Sequence, residues 1–378
     1  MVKEYSWIKK YQSKIVTVDE ALSHLKSEET VYLHPGSGTP EILINAMVKQ
    51  ASRLENVKVV QILTFGDAPY AKPEMKGHFK VISLFTGPNV RKAVNEGRAE
   101  FVPVFLGEIP ELFYSREIDI DVALIQVSPP DEHGFCSFGV GVDVTMAACR
   151  TAKTIIAHVN PRMPRVHGDN FIHFNKLSYV VEEEIPLLEL PRAELTDTFM
   201  KIGKNVAGLI EDESTLQMGI GGIPDAVLYF LKDKRDLGIH TEMFSDGVVE
   251  LYQEGIITNE KKTLHPGKMV AGFVLGSTDL FNFIHNNPVV EFHPQEYIND
   301  PFIIAKNHKM VSINSALEVD LTGQICADSI GINNYSGIGG QVDFFRGSAR
   351  SKGGKPILAL PASAKNGTIS RIVPMLKP

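Results

Sequence analysis

The chain has 378 residues, of which 43% are hydrophobic and 22% are charged, a balance typical of a globular protein with a substantial core. The formal net charge is −7, and its lysines and arginines are scattered, so no basic stripe indicates a nucleic-acid partner. No segment has the apolar length of a membrane-spanning helix or the pattern of a signal peptide. We therefore expect a cytoplasmic protein with no membrane or nucleic-acid partner.

The cysteines and histidines give no sign of a metal or disulfide framework. Cys136, Cys149 and Cys326 have neither the number nor the spacing of a disulfide scaffold or a zinc site. No pair of histidines shows a familiar metal-ligand spacing either. We expect reduced thiols and no metal.

Helical and strand-like stretches alternate along the whole chain. In chain order they are PEILINAMVKQ (helix), KVVQILTF, DVALIQV and KTIIAHV (strands), PDAVLYFLKDK and STDLFNFIHNN (helices), and KMVSINS and PILALP (strands). This rhythm predicts an α/β fold with mostly parallel sheets. The acidic, proline-containing residues 184 to 197 predict a linker between two domains.

Five landmarks recur in the same order in the two halves of the chain. HPGSGTPEILINAM corresponds to MGIGGIPDAVLYFL, LTFGD to TEMFSD, AEFVP to VEFHP, SPPDEHGFC to EVDLTGQIC, and AKTIIAHVNP to GKPILALPAS. A repeat at this scale is the mark of a duplicated structural unit. We predict two similar open α/β domains, residues 1–190 and 191–378.

Glu242 stands out in this comparison. Aligning Asp246 of the second half on Asp67 of the first places Leu63 opposite Glu242, so the fold itself needs no carboxylate at that point. Its expected position, at the carboxyl end of a strand, is where open α/β sheets bind ligands. An ordinary exposed glutamate beside a turn is the alternative. The pattern favours a carboxylate that does chemistry.

A glycine-rich loop just upstream permits two interpretations. Residues without a β-carbon let a backbone approach a ligand and point N–H groups at it, or let a helix pack tightly on a strand. The stretch lacks the full dinucleotide-binding or P-loop pattern. The candidate binding residues in it are Gly219, Ile220, Gly221, Gly222 and Ile223.

Two further stretches are candidates for the same ligand. SGIGGQVDF, which contains Ser336 and Gly340, offers more backbone donors, and PASAKNGT offers the cation of Lys365 and hydroxyls suited to phosphate.

Four loop residues of the first half are weaker candidates for ligand binding. His34 and His133 lie in loops at the expected ligand edge, where His133 could bind a carboxylate or a nucleotide, although a histidine bonded to a backbone carbonyl is the favoured interpretation. Arg162 and Arg165 could also meet an anion, and a solvated loop explains them at least as well.

Taken together, GIGGIPDAV, HTEMFSDG, TLHPGK, INSALEVDLTGQ, SGIGGQVDF and SRIVP resemble the acetyl-CoA hydrolase and transferase family of class I type coenzyme A transferases, most of all its 4-hydroxybutyrate branch. The resemblance runs from the first helix to the last residue. It implies that Glu242 forms a thioester with CoA. It also implies CoA contacts from the loop at residues 219–223, from Ser336 and Gly340, and from Lys365. Family members continue beyond the point that corresponds to Pro378, so we expect an incomplete second domain.

The resemblance implies transfer of CoA between a short-chain acyl-CoA and a carboxylic acid of the 4-hydroxybutyrate, acetate or butyrate type. Hydrolysis of an acyl-CoA by the same glutamate is the alternative, since only the exclusion of water separates the two reactions. A CoA-binding regulatory protein is less favoured, because binding alone needs no nucleophile. CoA enters as a substrate, with no tightly bound cofactor, and the family resemblance implies a homodimer.

Overall fold

The computed structural model describes residues 7–376, and contacts divide the chain into two compact units. Unit 1 comprises Met1–Pro103, Glu108–Glu189 and Ile284–Asn287, and unit 2 comprises Val104–Gly107, Leu190–Phe283 and Pro288–Pro378. Among the described residues, no helix is both long enough and apolar enough to cross a membrane.

Between residues 7 and 189, six helices and ten strands form. The helices are α1 Trp7–Gln12, α2 Val18–Ser23, α3 Glu41–Lys49, α4 Pro88–Asn95, α5 Ile109–Tyr114 and α6 Thr145–Thr151. The strands are β1 Thr30–Leu33, β2 Val57–Ile62, β3 Phe79–Phe85, β4 Ala99–Phe101, β5 Val122–Val127, β6 Phe135–Ser137, β7 Thr154–Val159, β8 His167–Gly168, β9 Phe171–His173 and β10 Tyr179–Glu182. Short 3-10 turns lie at Ala51–Arg53, Pro69–Ala71, Pro73–Met75, Leu106–Glu108 and Phe174–Lys176.

Unit 1 is built on a seven-stranded sheet in the order β10-β7-β5-β1-β2-β3-β4. All of its neighbouring strands pair in parallel. Every residue of β1 and β5 is buried. Parallel strands covered on both faces are apolar along their whole length, which explains why the sequence marked them as continuous runs.

The described part of the chain after residue 190, up to residue 376, contains seven helices and fifteen strands. The helices are α7 Asp197–Ala207, α8 Gly222–Tyr229, α9 Asp246–Gln253, α10 Thr278–Ile284, α11 Gln295–Ile298, α12 Pro301–Ile304 and α13 Gln341–Arg350. The strands are β11 Thr215–Met218, β12 Gly238–Ile239, β13 Met243–Phe244, β14 Met269–Ala271, β15 Phe273–Val274, β16 Val290–Phe292, β17 Met310–Asn314, β18 Glu318–Asp320, β19 Ile325–Cys326, β20 Ser329–Ile330, β21 Asn333–Asn334, β22 Lys355–Leu358, β23 Ser363–Ala364, β24 Ile369–Ser370 and β25 Ile372–Val373.

Unit 2 repeats the strand order of unit 1. Its parallel sheet runs β12-β11-β17-β22. A parallel bridge between His240 and Val270 extends β12 to β14, which pairs in parallel with β16. The resulting order, β22-β17-β11-β12-β14-β16, matches β7-β5-β1-β2-β3-β4. The predicted α/β class with mostly parallel sheets is confirmed, and the equal strand orders support a duplication.

The helix starts and the linker agree with the sequence pattern. Pro40 caps α3, whose first turn carries Glu41, and the first turn of α8 carries Pro224 and Asp225. Residues 183–196 form neither helix nor strand.

A small buried cluster in unit 2 joins the elements that position the site. It consists of Val270, Ile298, Ile304, Met310 and Phe344. Full burial of side chains of this size stabilises a fold by about 1.5–3 kcal/mol each. Because Ile298 ends α11 and Phe344 lies in the first turns of α13, the cluster fixes both helices.

Candidate active site

The backbone around Glu242 is fixed by its neighbours on two sides. The hydroxyl of Thr241 donates to the carbonyl oxygens of Met218 (3.2 Å), at the end of β11, and of Met243 (2.8 Å). The carbonyl oxygen of Glu242 accepts from the N–H groups of Gly272 (3.0 Å) and Phe273 (3.2 Å). Glu242 therefore sits where β12 passes into β13, at the carboxyl end of the sheet, with its side chain partly buried.

The carboxylate of Glu242 lies against Gly340, the residue that caps α13. A β-carbon built on Gly340 would come 1.8 Å from Oε2 of Glu242 and 2.3 Å from Nδ2 of Asn299. Only glycine leaves room for this approach. The first turn of a helix has N–H groups without intrahelical partners and a partial positive charge, so the start of α13 suits a negative charge at Glu242.

Asn299 links Glu242 to a second carboxylate. Its Nδ2 lies 3.5 Å from Oε2 of Glu242 and donates to Oδ2 of Asp343 at 3.1 Å. Nε2 of Gln295, one turn earlier, donates to Oδ1 of Asn299 at 2.8 Å, which orients the amide. The N–H of Gly107 also donates to Oδ2 of Asp343 at 3.1 Å. The arrangement holds one amide donor aimed at Glu242.

Sequence reasoning missed these supporting residues. Asp343 lies in the quoted motif SGIGGQVDF, but nothing in its type or spacing pointed to a role. Gln295 and Asn299 are four residues apart, the spacing of neighbours on one helix face, and that was their only signal.

Burial raises the pKa of Glu242 to about 7; the nearby charge of Asp343 also raises it, whereas the hydrogen bond from Asn299 lowers it. About half of the Glu242 side chains are therefore ionised at neutral pH. A carboxylate that few water molecules solvate is a better nucleophile than one in bulk water. The site can present an activated carboxylate to an electrophilic carbonyl.

The glycine loop serves two structural purposes at once. Around an added β-carbon at Gly219 or Gly221, the described residues leave open space, and Gly221 has a φ of +104° that favours glycine. An added β-carbon at Gly222 would instead come 2.3 Å from the ring of Phe199 in α7. The packing interpretation applies to Gly222, and the open space at Gly219 and Gly221 is compatible with a ligand.

The two isoleucines of the loop differ in the same way. Ile220 is 38% exposed, whereas Ile223 is buried. A cleft of about 230 Å³ opens beside Ile220 and Gly221 and is bordered by Arg192 and Asp225. Since β11 lies next to β12, this loop follows the strand end beside Glu242.

Of the predicted residues Gly340, Ser336 and Lys365, only Gly340 lies against Glu242 in the described structure. The Ser336 hydroxyl donates to the carbonyl oxygen of Ala327 at 3.3 Å, within its own loop. Lys365 is exposed between β23 and β24, with a φ of +47°. Within residues 7–376, no hydrogen bond or ion pair links either residue directly to Glu242.

Of the two histidine candidates of unit 1, His34 is bonded to backbone groups and His133 is exposed. His34 is fully buried, with Nε2 2.8 Å from the carbonyl oxygen of Gly141, and Nδ1 accepts from the N–H of Gln126 at 3.3 Å. Burial lowers the pKa of His34. His133 is exposed beside Glu132. His34 therefore makes the backbone contact that the favoured interpretation requires.

The arginine candidates pair with acids. Arg165 pairs with Asp131 at 2.5 Å, and Arg162 pairs with Glu184 at 3.0 Å.

Comparison with protein families decides the class of the molecule. Residues 1–189 match the acetyl-CoA hydrolase/transferase N-terminal domain, and residues 276–378 match the C-terminal domain of the same family. The chain belongs to the acetyl-CoA hydrolase/transferase family.

Several members of this family are close in sequence. A 4-hydroxybutyrate coenzyme A transferase of Clostridium kluyveri is 50% identical over 370 residues, which cover 98% of this chain and 86% of that protein. A succinyl-CoA:acetate/propanoyl-CoA:succinate CoA transferase of Fasciola hepatica is 48% identical over 364 residues, covering 95% and 76%. An acetyl-CoA hydrolase of Neurospora crassa is more distant, at 24% identity over 344 residues, covering 76% and 63%.

The fold is shared as well. The crystal structure of a 4-hydroxybutyrate CoA-transferase from Porphyromonas gingivalis has a TM-score of 0.86 to this structure at 44% identity, covering 98% of this chain and 87% of that one. The close members are CoA transferases, and this chain is an enzyme of that type. Its family uses CoA thioesters as substrates.

Proposed function

We propose that this enzyme moves CoA between a short-chain acyl-CoA and a carboxylic acid through a thioester on Glu242, with 4-hydroxybutyrate, acetate and butyrate as the candidate acids. The single observation that carries the proposal is the Glu242 carboxylate, raised in pKa to about 7 and held between Gly340 and the amide of Asn299. The names of the similar transferases support the choice of acids.

The first half-reaction conserves the thioester energy in two steps. The ionised carboxylate of Glu242 attacks the acyl carbonyl carbon; the C–S bond breaks, and CoA leaves as a thiolate. The product on the enzyme is a mixed anhydride. The thiolate then attacks the glutamyl carbonyl of that anhydride, which releases the acyl group as its carboxylate and leaves CoA bound to Glu242 as a thioester.

The second half-reaction runs the same chemistry in reverse. The incoming carboxylate attacks the glutamyl thioester, gives a new anhydride and frees the CoA thiolate. The thiolate attacks the acyl carbonyl, so the new acyl-CoA departs and Glu242 is again a carboxylate. No proton has to move in any of these steps, because every nucleophile and leaving group is an anion.

Each addition places negative charge on a carbonyl oxygen. The start of α13 lies against the Glu242 carboxylate and the amide of Asn299 donates to it, so we assign the backbone N–H groups there and this amide to stabilising that charge. Loss of one such donor typically lowers the rate by about 10²- to 10³-fold.

We propose that the CoA moiety is held by the backbone of residues 219–223, by the loop of Ser336 and Gly340, and by the cation of Lys365. The open space at Gly219 and Gly221 supports the first contact. The exposed position of Lys365 leaves its ammonium group accessible to a phosphate. CoA then acts as a substrate and no tightly bound cofactor takes part.

The remaining proposals rest on the family resemblance. We propose a homodimer in the cytoplasm, with two CoA-transferase domains, residues 1–190 and 191–378, of which the second carries Glu242. Light scattering behind a sizing column measures the oligomeric state, and a monomeric mass at working concentration would contradict the dimer.

The decisive experiment supplies the enzyme with acetyl-CoA and 4-hydroxybutyrate and follows acyl-CoA products and free CoA by mass spectrometry. Transfer gives 4-hydroxybutyryl-CoA with little free CoA. Hydrolysis, the reaction of the distant Neurospora relative, gives free CoA at the same rate with or without the acid. If neither 4-hydroxybutyryl-CoA nor free CoA forms, both the transfer and the hydrolysis proposals are refuted.

Trapping tests the intermediate separately. Acetyl-CoA alone, followed by borohydride, should reduce a glutamyl thioester to an alcohol in the peptide that contains Glu242. Glu242→Gln serves as the matched control and should show neither the mass change nor transfer. An unmodified Glu242 peptide from fully active enzyme rules the thioester out.

A further inference from the structure

Four polar side chains from three segments of unit 2 converge beside the start of α11. His265 lies in the loop before β14, Glu291 lies in β16, His293 follows that strand directly, and Tyr297 lies in α11. The first three are partly buried, with side chains 24%, 22% and 19% exposed, so solvent reaches them. The proposed transfer reaction uses none of them.

Their donor atoms have the spacing of metal ligands. Nδ1 of His265 lies 3.3 Å from Oε2 of Glu291, and Nε2 of His293 lies 3.5 Å from the same oxygen. One donor atom from each residue lies within 4.8 Å of the other two. Tetrahedral ligands at zinc bond lengths of about 2.0–2.2 Å are about 3.3–3.6 Å apart, so both measured distances fall in that range.

We propose that His265, Glu291 and His293 bind one divalent transition-metal ion of the zinc class. Two imidazole nitrogens and one carboxylate oxygen are ligands that Zn²⁺ accepts, and three protein ligands leave a fourth position for water. Hydrogen bonding explains the cluster less well, because 3.3 and 3.5 Å exceed the usual N–H to oxygen distance of about 2.7–3.2 Å.

The orientation of both histidines supports this assignment. Nε2 of His265 lies 2.7 Å from the hydroxyl of Tyr297, which fixes the ring and leaves Nδ1 directed at Glu291. Outer hydrogen bonds of this kind accompany histidines that bind metals. Nε2 of His293 is buried and has no hydrogen-bond partner among residues 7–376. His265 also holds a φ of +51°, an uncommon backbone conformation for a residue with a side chain.

In the internal repeat, His293, like Glu242, has no counterpart of the same type in the first half. In the paired landmarks AEFVP and VEFHP, His293 stands where the first half has Val102. The fold therefore needs no imidazole at this point. His265 and His293 are 28 positions apart, so no sequence spacing revealed the pair.

Two lysines bring positive charge close to the cluster. Nζ of Lys268 lies 3.5 Å from Oε1 of Glu291, the carboxylate oxygen not directed at the histidines, and it also donates to the carbonyl oxygen of Pro288. Lys262 is buried and donates to the carbonyl oxygens of Ile239 and Lys268, both at 2.6 Å. The ammonium groups therefore have partners of their own and leave Oε2 of Glu291 to the ion.

The ion would tie the loop of His265 to the start of α11. That helix carries Gln295, which orients Asn299 beside Glu242. The inferred role is structural: the ion stiffens the support of the active-site amide without touching substrate. The binding test below does not depend on whether transfer proceeds through Glu242.

Metal binding by the full-length enzyme tests the site. The protein is stripped with a chelator, dialysed and titrated with Zn²⁺, and the bound metal is counted by mass spectrometry. One ion per chain is expected, together with a Co²⁺ absorption spectrum typical of a site with fewer than six ligands. Failure to retain one equivalent overturns the proposal.

Variants locate the ion. His265→Ala and His293→Ala should each weaken Zn²⁺ binding by more than about 10-fold, and Tyr297→Phe by about 10-fold, the lower end of the loss from removing an outer partner. His308→Ala, at an exposed histidine of the same unit, should bind Zn²⁺ like the wild type. Unchanged affinity in both ligand variants overturns the assignment. If an alanine variant does not fold, Glu291→Gln, which keeps the side-chain size, gives the same readout.

Discussion

A β-carbon at Gly340 would lie 1.8 Å from Oε2 of Glu242, closer than any non-bonded contact permits. Gly340→Ala should therefore push the Glu242 carboxylate out of place and lower kcat by at least about 10²-fold, since displacements near 1 Å have effects of that size. The reason is a collision with the carboxylate of Glu242, the proposed nucleophile, rather than with substrate. Steady-state rates measure it.

Gly208→Ala is the matched control for that change. An added β-carbon at Gly208 meets its nearest atom at an ordinary 3.4 Å, and the backbone is helical. We expect wild-type kcat. Wild-type kcat in Gly340→Ala as well would contradict the position assigned to Glu242.

The amide of Asn299 and the charge of Asp343 act on the Glu242 pKa in opposite directions. Asn299→Ala removes a donor to the carboxylate, so the acidic limb of the rate profile should move to higher pH and kcat/KM should fall at least about 10-fold. Asp343→Asn removes a negative charge, so the limb should move to lower pH. Rates between pH 5.5 and 8.5 measure both shifts.

A merely structural role for these residues predicts a different result. Both variants would then lose activity without any displacement of the limb. Asn282→Ala, at an exposed asparagine of α10, supplies the control and should leave the profile unchanged.

In the wild-type enzyme, the profile of kcat/KM against pH should show an acidic limb that ends near neutral pH. In the proposed mechanism only ionised Glu242 attacks, and its pKa is about 7. We expect kcat/KM to rise about 10-fold per pH unit below pH 7 and to level off above it. Initial rates at low acyl-CoA concentration report this free-enzyme value. A flat profile from pH 5.5 to 8 would contradict an unbound Glu242 of raised pKa.

Replacement of Glu242 by a neutral residue should stabilise the fold at alkaline pH. The pKa of Glu242 rises on folding from 4.5 to about 7, so the folded state favours its protonated form. The stabilising contribution of that form is complete below pH 4.5 and is lost as the pH rises through about 7. Ionised Glu242 then destabilises the fold by on the order of 2–3 kcal/mol at pH 8.

Glu242→Gln stays neutral and should exceed the wild type in free energy of unfolding at pH 8, with a gap that shrinks toward pH 5. Urea unfolding at several pH values measures the gap. Glu260→Gln, at an exposed glutamate, should show none. A gap of the same size at pH 5 and pH 8 would argue against ionisation as its cause.

The two faces of the glycine loop should separate binding from folding. Gly219→Ala faces open space, so we expect a normal melting temperature and a higher KM for acyl-CoA. Gly222→Ala collides with Phe199 and should lower the free energy of unfolding by about 1–3 kcal/mol. Calorimetry and kinetics on both variants decide. Equal effects of the two changes on stability would show that the loop has a single role.

Much of the fold was predictable because its strands are buried on both faces. Continuous apolar runs marked β5, β7 and β17, and the proline and acid of each helix start marked α3 and α8. Glu242 stood out as a candidate because the repeat supplied an internal reference, Leu63, that lacks the carboxylate.

The supporting residues could not be found in the same way. Asn299 and Asp343 meet Glu242 only after strands and helices have packed, and they are 57 and 101 positions away along the chain. A single amide or carboxylate in a helix has no local pattern that distinguishes it from a solvated one. The histidine pair at His265 and His293 escaped notice for the same reason.

A proposed nucleophile with a pKa near 7 also couples the enzyme to the acidity of its surroundings. As the pH falls through this range, the ionised share of Glu242 decreases. If the proposed acids build up and the pH falls with them, the proposed transfer through Glu242 slows in step, with no separate regulatory site involved.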